Sequence, residues 1–309
     1  MDQDLWVVIL NFNAPSLVRC VNAVLAEGVA KDRVIVVDNG SRDDSIDSLL
    51  AAHADIEVIQ TGANLGYAGG NNVGIRTALD RGAKWVLLPN PDAFLMPGAL
   101  AALFEAADSA ERVAAIGGLV MDSSSPRTVD GAYGVINYRQ FLSRLEGEGS
   151  RRPDAYRSVL EVDYPYGCAM LLSASALREV GLFDENFFLY HEELEWCYRA
   201  RRAGFKVLFT PKARVEHGRS GDNLARAALR RYMLARNSML FMRKHGTLAT
   251  RFRFAVFVAA GLPFDALKWT LAGRGREVRA CVKGYLDGLL GRPPDPGMIA
   301  LATGRSWSA

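Results

Sequence analysis

The feature that most constrains the fold is a repeated unit: a short apolar run that stops abruptly at polar residues and is followed by a helical stretch. Residues 5–10 read Leu-Trp-Val-Val-Ile-Leu and end in Asn11-Phe12-Asn13, while residues 34–37 are all Val and Ile and end in Asp38-Asn39-Gly40-Ser41. Residues 56–60 and 85–88 repeat the pattern, the last run stopping at Pro89-Asn90-Pro91-Asp92. Apolar runs without alternation suit strands covered on both faces. The stretches between them, residues 16–26, 43–52 and 73–80, read as the covering helices. The repeat predicts an α/β fold with a doubly wound, mostly parallel sheet flanked by helices. In such a sheet ligands bind at the carboxyl ends of the strands, so the polar tips are candidates for ligand contact.

Two of these tips carry chemistry. Asn64-Leu65-Gly66 opens a glycine-rich stretch running to Asn72, whose backbone amides could approach a phosphate or sugar closely, or which could simply start a helix. It is not G-x-G-x-x-G after the first strand, and no G-x-x-x-x-G-K-[ST] occurs, which removes the main support for dinucleotide and P-loop readings. In Pro89-Asn90-Pro91-Asp92 two prolines stiffen the turn around one amide and one acid, and Asp92 with the help of a diphosphate suits a hard cation. Its place at a strand's carboxyl end favours that role over an ordinary turn.

Residues 97–108 read as helix, 113–120 as strand, and 122–159 as a long irregular loop, functional or mobile. Strand returns at 164–172, a short helix at 173–180, and strand again at 206–209, before His217. Between them, residues 181–199 carry an aromatic approach, Phe187, Phe188, Leu189 and Tyr190, into Glu192, Glu193 and Glu195 at the start of a helix ending before Gly204. The approach reads as a partly dry wall, and a carboxylate beside one shifts toward the pKa of a general base. Acidic residues also favour a helix's first turn for its dipole alone, and Glu195 by itself is read that way.

Charge divides the chain: residues 224–309 hold 15 Lys and Arg against 4 Asp and Glu, leaving 22 against 30 before them. The boundaries expected are therefore a catalytic domain over 1–223 and a basic helical extension over 224–309. Such a tail meets something anionic: a membrane surface, nucleic acid or the body itself. Residues 254–264 are apolar but only about half the length of a spanning helix. With Arg251, Arg253 and Lys268 beside them they read as a helix lying on anionic lipid or packed on the body. Interleaved aromatic and basic residues of a stacking platform are missing, which argues against nucleic acid. From residue 292 onward the chain reads as loosely ordered. Four scattered cysteines and an acidic start without a basic signal region point to a reducing, cytoplasmic setting, peripheral on the inner face of the plasma membrane if the tail binds lipid.

Taken together, residues 8–13, 36–41, 64–72, 90–92 and 181–199 with His217 resemble the inverting family 2 glycosyltransferases of GT-A fold, in their rhamnosyltransferase-like branch. The resemblance covers residues 5 to about 220. It implies that Asp38 meets the pyrimidine base, with Asn11, Asn13, Asn64 and Gly66 lining the nucleoside. Asp92 matches the acid that binds Mg²⁺ or Mn²⁺ on the donor diphosphate, His217 matches the third metal ligand, and Asn90 stands where many members have a first Asp. Glu193 matches the catalytic base, the second acid of a Glu-Asp pair that is Glu192-Glu193 here, one methylene longer at the critical place. Arg199 matches an arginine supporting phosphate or the carboxylates. Inversion in one displacement needs one base and an electrophilic cradle for the leaving diphosphate, and no covalent nucleophile. The function implied is metal-dependent transfer of L-rhamnose from dTDP-L-rhamnose to a hydroxyl of a lipid-linked or polysaccharide acceptor in cell-envelope glycan synthesis. The open alternatives are a UDP-hexose or UDP-galactofuranose donor, or an inactive sugar-nucleotide or glycan-binding scaffold. A partner subunit of the same chain is a further candidate for the basic tail.

Overall fold

The apolar runs become neighbouring strands of one sheet. The computed structural model describes residues 4–139, 141–218 and 224–303. The chain divides into two compact units, the first comprising residues 1–135, 145–185 and 193–220 and the second residues 136–144, 186–192 and 221–309. Along the chain come β1 (Leu5–Asn11), α1 (Leu17–Ala26), β2 (Val34–Asp38), α2 (Ser45–Ala52), β3 (Glu57–Gln60), α3 (Gly66–Asp80), β4 (Trp85–Pro89), β5 (Ala93–Leu95) and α4 (Ala99–Asp108). They are followed by β6 (Val113–Asp122), β7 (Val129–Gly131), β8 (Tyr133–Ile136), β9 (Ser143–Leu145), β10 (Leu160–Glu161), β11 (Tyr164–Pro165), β12 (Ala169–Ser173), α5 (Ala174–Val180), α6 (Glu192–Arg202) and β13 (Lys206–His217).

The sheet order is β10-β13-β6-β12-β4-β1-β2-β3, with β5 on β13 and β7 on β6. β4, β1, β2 and β3 are parallel, and β12 runs antiparallel between β4 and β6. All seven residues of β1 are buried, as its unbroken apolar run requires. Parallel registry sets Asn11 beside Asp38 at the strands' carboxyl ends. At the other side of the same edge, β13 pairs His217 with Ala93 of β5, next to Asp92.

Three readings of this unit change. Helix α3 begins at Gly66, not near residue 73. A Cβ on Gly70 would lie 2.4 Å from Leu10 Cδ1, and one on Gly74 2.2 Å from Val8 Cγ1, so these glycines let the helix lie directly on β1. That packing offsets their poor helix propensity. Strand β13 runs on past residue 209 to His217, across Pro211 and a register shift between Thr210 and Arg214 that breaks its pattern in the sequence. Finally, residues 122–159 are not one irregular loop. They contribute β7 to the main sheet and β8 and β9 to a small sheet with β11, and Val129 and Asp130 are buried.

The second unit is helical: α7 (Leu224–His245), α8 (Leu248–Leu271), α9 (Gly275–Leu290) and α10 (Pro296–Thr303). Gly284 and Gly288 bring α9 onto α7 so closely that a Cβ at either would lie 2.3 Å from a backbone oxygen, of Tyr232 or Arg236. Phe141 belongs to this unit, its ring stacked on Tyr285 at 6.5 Å and 5.5 Å from the Arg231 guanidinium. The aromatic approach is packed here too: Phe188 joins Leu229, Tyr232 and Met233 in the core, with Leu189 and Tyr190 partly buried against it, so these side chains anchor the segment. Residues expected to be loose from 292 onward include α10, whose Ile299 is buried in the same core; residues 304–309 lie outside the described residues. Helix α8 has 24 residues, about twice the apolar segment read from sequence, because alanines, Pro263 and scattered polar residues conceal its length.

Candidate active site

The first polar cluster is built at the tips of β1 and β2. Asn11 is fully buried, and its Nδ2 donates to Ser45 Oγ (2.9 Å), Ser41 Oγ (3.0 Å) and Asp38 Oδ1 (3.4 Å). Asp38 Oδ1 also accepts from the Ser41 backbone N–H (3.1 Å), which folds the Asp-Asn-Gly-Ser turn over the acid. Asn13 has φ 50°, a left-handed conformation that asparagine tolerates, and its Oδ1 accepts from the Arg42 N–H. Asn39 links this tip to the next: its Nδ2 donates to Asn64 Oδ1 and the Gly66 carbonyl, both at 3.1 Å, and its Oδ1 accepts from the Leu65 N–H. Asn11, Asn13, Asp38, Asn64 and Gly66, scattered in sequence, thus share one polar network.

The second cluster forms where β4, β5, β7, β12 and β13 meet. His217 Nε2 lies 3.4 Å from Asp92 Oδ1, and its Nδ1 lies 2.8 Å from Oδ2 of Asp130, a carboxylate on β7 that the sequence did not single out. Tyr166 donates to the same Asp130 oxygen (3.1 Å) and sets its ring edge-on to the imidazole. Burial works against charge on His217, but hydrogen bonds to Asp130 and Asp92 outweigh it and raise its pKa to about 9. Asn90 is held by its N–H to the Cys168 carbonyl (2.7 Å), while its Oδ1 is buried without a hydrogen-bond partner. Among the described residues no three His, Cys, Asp or Glu side chains gather as a ready metal cage. The donors present are one carboxylate and, once a cation displaces its Nε2 proton, one imidazole, beside an orphaned amide oxygen. That set fits Mg²⁺ or Mn²⁺ completed by diphosphate oxygens.

Glu193 sits on the other side of Cys168. A Cβ added to Gly167 would lie 3.4–3.5 Å from its Cγ, Cδ and Oε1, so the carboxylate lies against that glycine, whose carbonyl accepts from Tyr67 Oη (3.1 Å). Burial, and secondarily the charge of Glu193, keeps the Cys197 thiol well above its usual pKa, so that thiol stays protonated. Glu192 and Glu195 are buried. Arg199 grips Glu195 through Nε at 2.9 and 3.0 Å and donates to the carbonyls of Val180 and Leu182, both at 2.7 Å, so it braces the segment before the acidic helix. Asn72 pins the same segment, exchanging hydrogen bonds with Phe183 and donating to Glu185 Oε1.

The residues just before Glu192 carry unusual backbone: Phe188, Tyr190 and His191 have φ of 61°, 67° and 67°. Asn237 of α7, fully buried, donates from Nδ2 to the carbonyls of Phe187, Leu189 and Tyr190 at 2.8, 2.9 and 2.7 Å. Its neighbour Arg236 donates to the Asn186 carbonyl (2.8 Å). This clamp was missed, although a polar Arg-Asn-Ser triplet set between the apolar residues 232–235 and 239–242 marks it in the sequence. Asp130 had only a Val-Asp-Gly in an aperiodic stretch to signal it.

With this geometry in place, comparison decides the family. The family model described as glycosyl transferase family 2 matches residues 6–181, more than half of the chain. The chain belongs to glycosyltransferase family 2. A relative from Haloferax volcanii, named low-salt glycan biosynthesis hexosyltransferase Agl10, is 31% identical over 214 residues, 67% of this chain and 64% of its own length. Another, the N-acetylglucosaminyl-diphospho-decaprenol L-rhamnosyltransferase of Mycobacterium tuberculosis, is 32% identical over 208 residues, 60% of this chain and 66% of its own length. The chain thus spans just under two thirds of these relatives. The second name agrees with the rhamnosyltransferase-like branch that the motifs resemble. Among solved structures, the mannosyltransferase PcManGT of Pyrobaculum calidifontis, in complex with GDP-Man and Mn²⁺, superposes with a TM-score of 0.56 at 14% identity, covering 93% of this chain and 87% of that one. The likeness establishes the GT-A fold that the resemblance of the motifs implied.

Proposed function

We propose that the chain is an inverting glycosyltransferase that moves L-rhamnose from dTDP-L-rhamnose to a hydroxyl of a lipid-linked or polysaccharide acceptor in cell-envelope glycan synthesis. The observation that carries this reading is a short bridge. Asn90 is bonded to Cys168, and Gly167, next in the chain, packs against Glu193, which brings the β4 tip close to the proposed base. The β1–β2 tips hold the nucleoside, with Asp38 toward the base and Asn11, Asn13, Asn64 and Gly66 shaping the wall. Asp92 and His217 would hold Mg²⁺ or Mn²⁺, which would offset the charge growing on the leaving nucleoside diphosphate. Asp130 keeps the imidazole's Nδ1 engaged, so that Nε2 faces Asp92. Glu193 takes the proton of the acceptor hydroxyl as that oxygen attacks the anomeric carbon from the face opposite the diphosphate. Gly167 leaves room beside the carboxylate for that hydroxyl.

The test is donor binding followed by turnover. A thermal-shift panel of dTDP-L-rhamnose, UDP-hexoses and UDP-galactofuranose, with and without Mn²⁺, should give a cation-dependent shift for dTDP-L-rhamnose above the others. A larger shift with a UDP-sugar would reassign the donor. No shift with any of them would turn the reading toward a glycan-binding scaffold.

A further inference from the structure

Helix α8 is long and apolar enough to cross a membrane by length and composition alone. Only 11% of its most apolar stretch is buried, but that part is held by its own unit. Phe254 and Trp269, near its two ends, are both buried within the helical unit: the Phe254 ring meets Tyr285 of α9 at 6.4 Å, and the Arg231 guanidinium of α7 covers Trp269 at 4.5 Å. The one acid of the helix, Asp265, is half-buried, and its charge acts on Cys281 and Tyr285 of α9. One side of α8 is therefore held to its own unit from Phe254 to Trp269, about 22 Å at 1.5 Å per residue.

The opposite side is bare. Leu248, Phe252 and Val256, and then Phe264, Leu267 and Leu271, follow one another at three- and four-residue steps along it, the two groups two helical turns apart, and all are exposed, Phe252 at 74% and Phe264 at 70%. Such spacing places them on one face of a helix. Exposed Arg253 and Lys268 lie among or beside them. A second copy of the chain is a poor occupant: two α8 helices paired antiparallel about their midpoints would set Lys268 beside Arg251 and Arg253 of the other copy, with no carboxylate on the bare face to neutralise them. Anionic lipid headgroups supply that charge, and the acyl boundary takes the apolar ridge while long cationic side chains reach outward.

We infer that α8 is a monotopic membrane-docking helix that lies in the plane of an anionic bilayer, its Leu248–Leu271 ridge in the headgroup–acyl boundary. The inference is independent of donor and reaction. The full chain should float with phosphatidylcholine vesicles containing phosphatidylglycerol at low salt, and at least about tenfold more weakly with phosphatidylcholine alone. Phe252→Glu with Phe264→Glu, both at exposed sites, should keep the wild-type melting temperature and lose binding to either vesicle. Arg253→Glu with Lys268→Glu should lose the preference for the anionic vesicle. Failure of the wild type to bind overturns the proposal, as does wild-type binding by the paired glutamate variant. A wild-type dimer that the Phe252 and Phe264 substitutions convert to monomer would instead make the ridge a self-interface.

Discussion

At the scale of single residues, the reading rests on a base, a cation pair and the carboxylate behind it. Glu193→Gln keeps shape and burial but removes the proton acceptor. It should lower kcat about 10³-fold while leaving the donor Kd within about twofold; steady-state kinetics beside calorimetric donor binding would show it, and near-wild-type turnover would remove Glu193 from the role. Asp130 acts through His217: its loss frees Nδ1 and the ring's orientation. Asp130→Asn should weaken Mn²⁺ binding about 10- to 100-fold in calorimetric titration with no nucleotide present, and unchanged affinity would make Asp130 a packing residue only. Asp92 and Glu193 were legible because each sits in a local pattern, a proline-framed strand tip and an acidic pair opening a helix. Asp130 was not, since its importance comes from an 87-residue contact with His217 that no local pattern records.

At the scale of elements, the decisive piece is the segment 186–192 and the helix that holds it. Three non-glycine residues with positive φ store strain that only surrounding contacts can maintain. Asn237→Ala would remove one donor from each of three carbonyls, of which that of Phe187 keeps the Leu189 N–H, and should lower the stability of the helical unit by about 2 kcal/mol in urea unfolding. A loss below about 1 kcal/mol would show that the carbonyls find other partners. His191, in the same segment, is buried and its pKa falls to about 4, so it folds neutral. Below its unfolded value of about 6.5 the unfolded chain takes up a proton that the folded one refuses, so stability should fall as pH drops from about 6.5 to about 4. The effect is at most about 3 kcal/mol, and His191→Gln should flatten that part of the pH profile, while an unchanged slope would place the acid sensitivity elsewhere.

At the scale of the whole molecule, cation dependence is the property to measure. Chelator-treated protein should lose turnover and regain it with Mn²⁺ or Mg²⁺, and full activity in chelator would dismiss the cation reading of Asp92 and His217. What the sequence by itself determined is the layer architecture and the places where ligands can sit. Strands buried on both faces must be continuously apolar, and each polar residue that interrupts them is forced to a strand end. It also carried the charge division between body and tail, because charge is additive along a chain. Only the tertiary structure decided that the glycines after residue 66 pack α3 onto β1, that the aromatic residues before Glu192 anchor in the helical unit, and that α8 hides one side and bares the other. Those outcomes depend on which surfaces meet across distant parts of the chain. A glycine reads alike whether it admits a phosphate or a strand, and an apolar helix reads alike whether it is covered by protein or left for lipid.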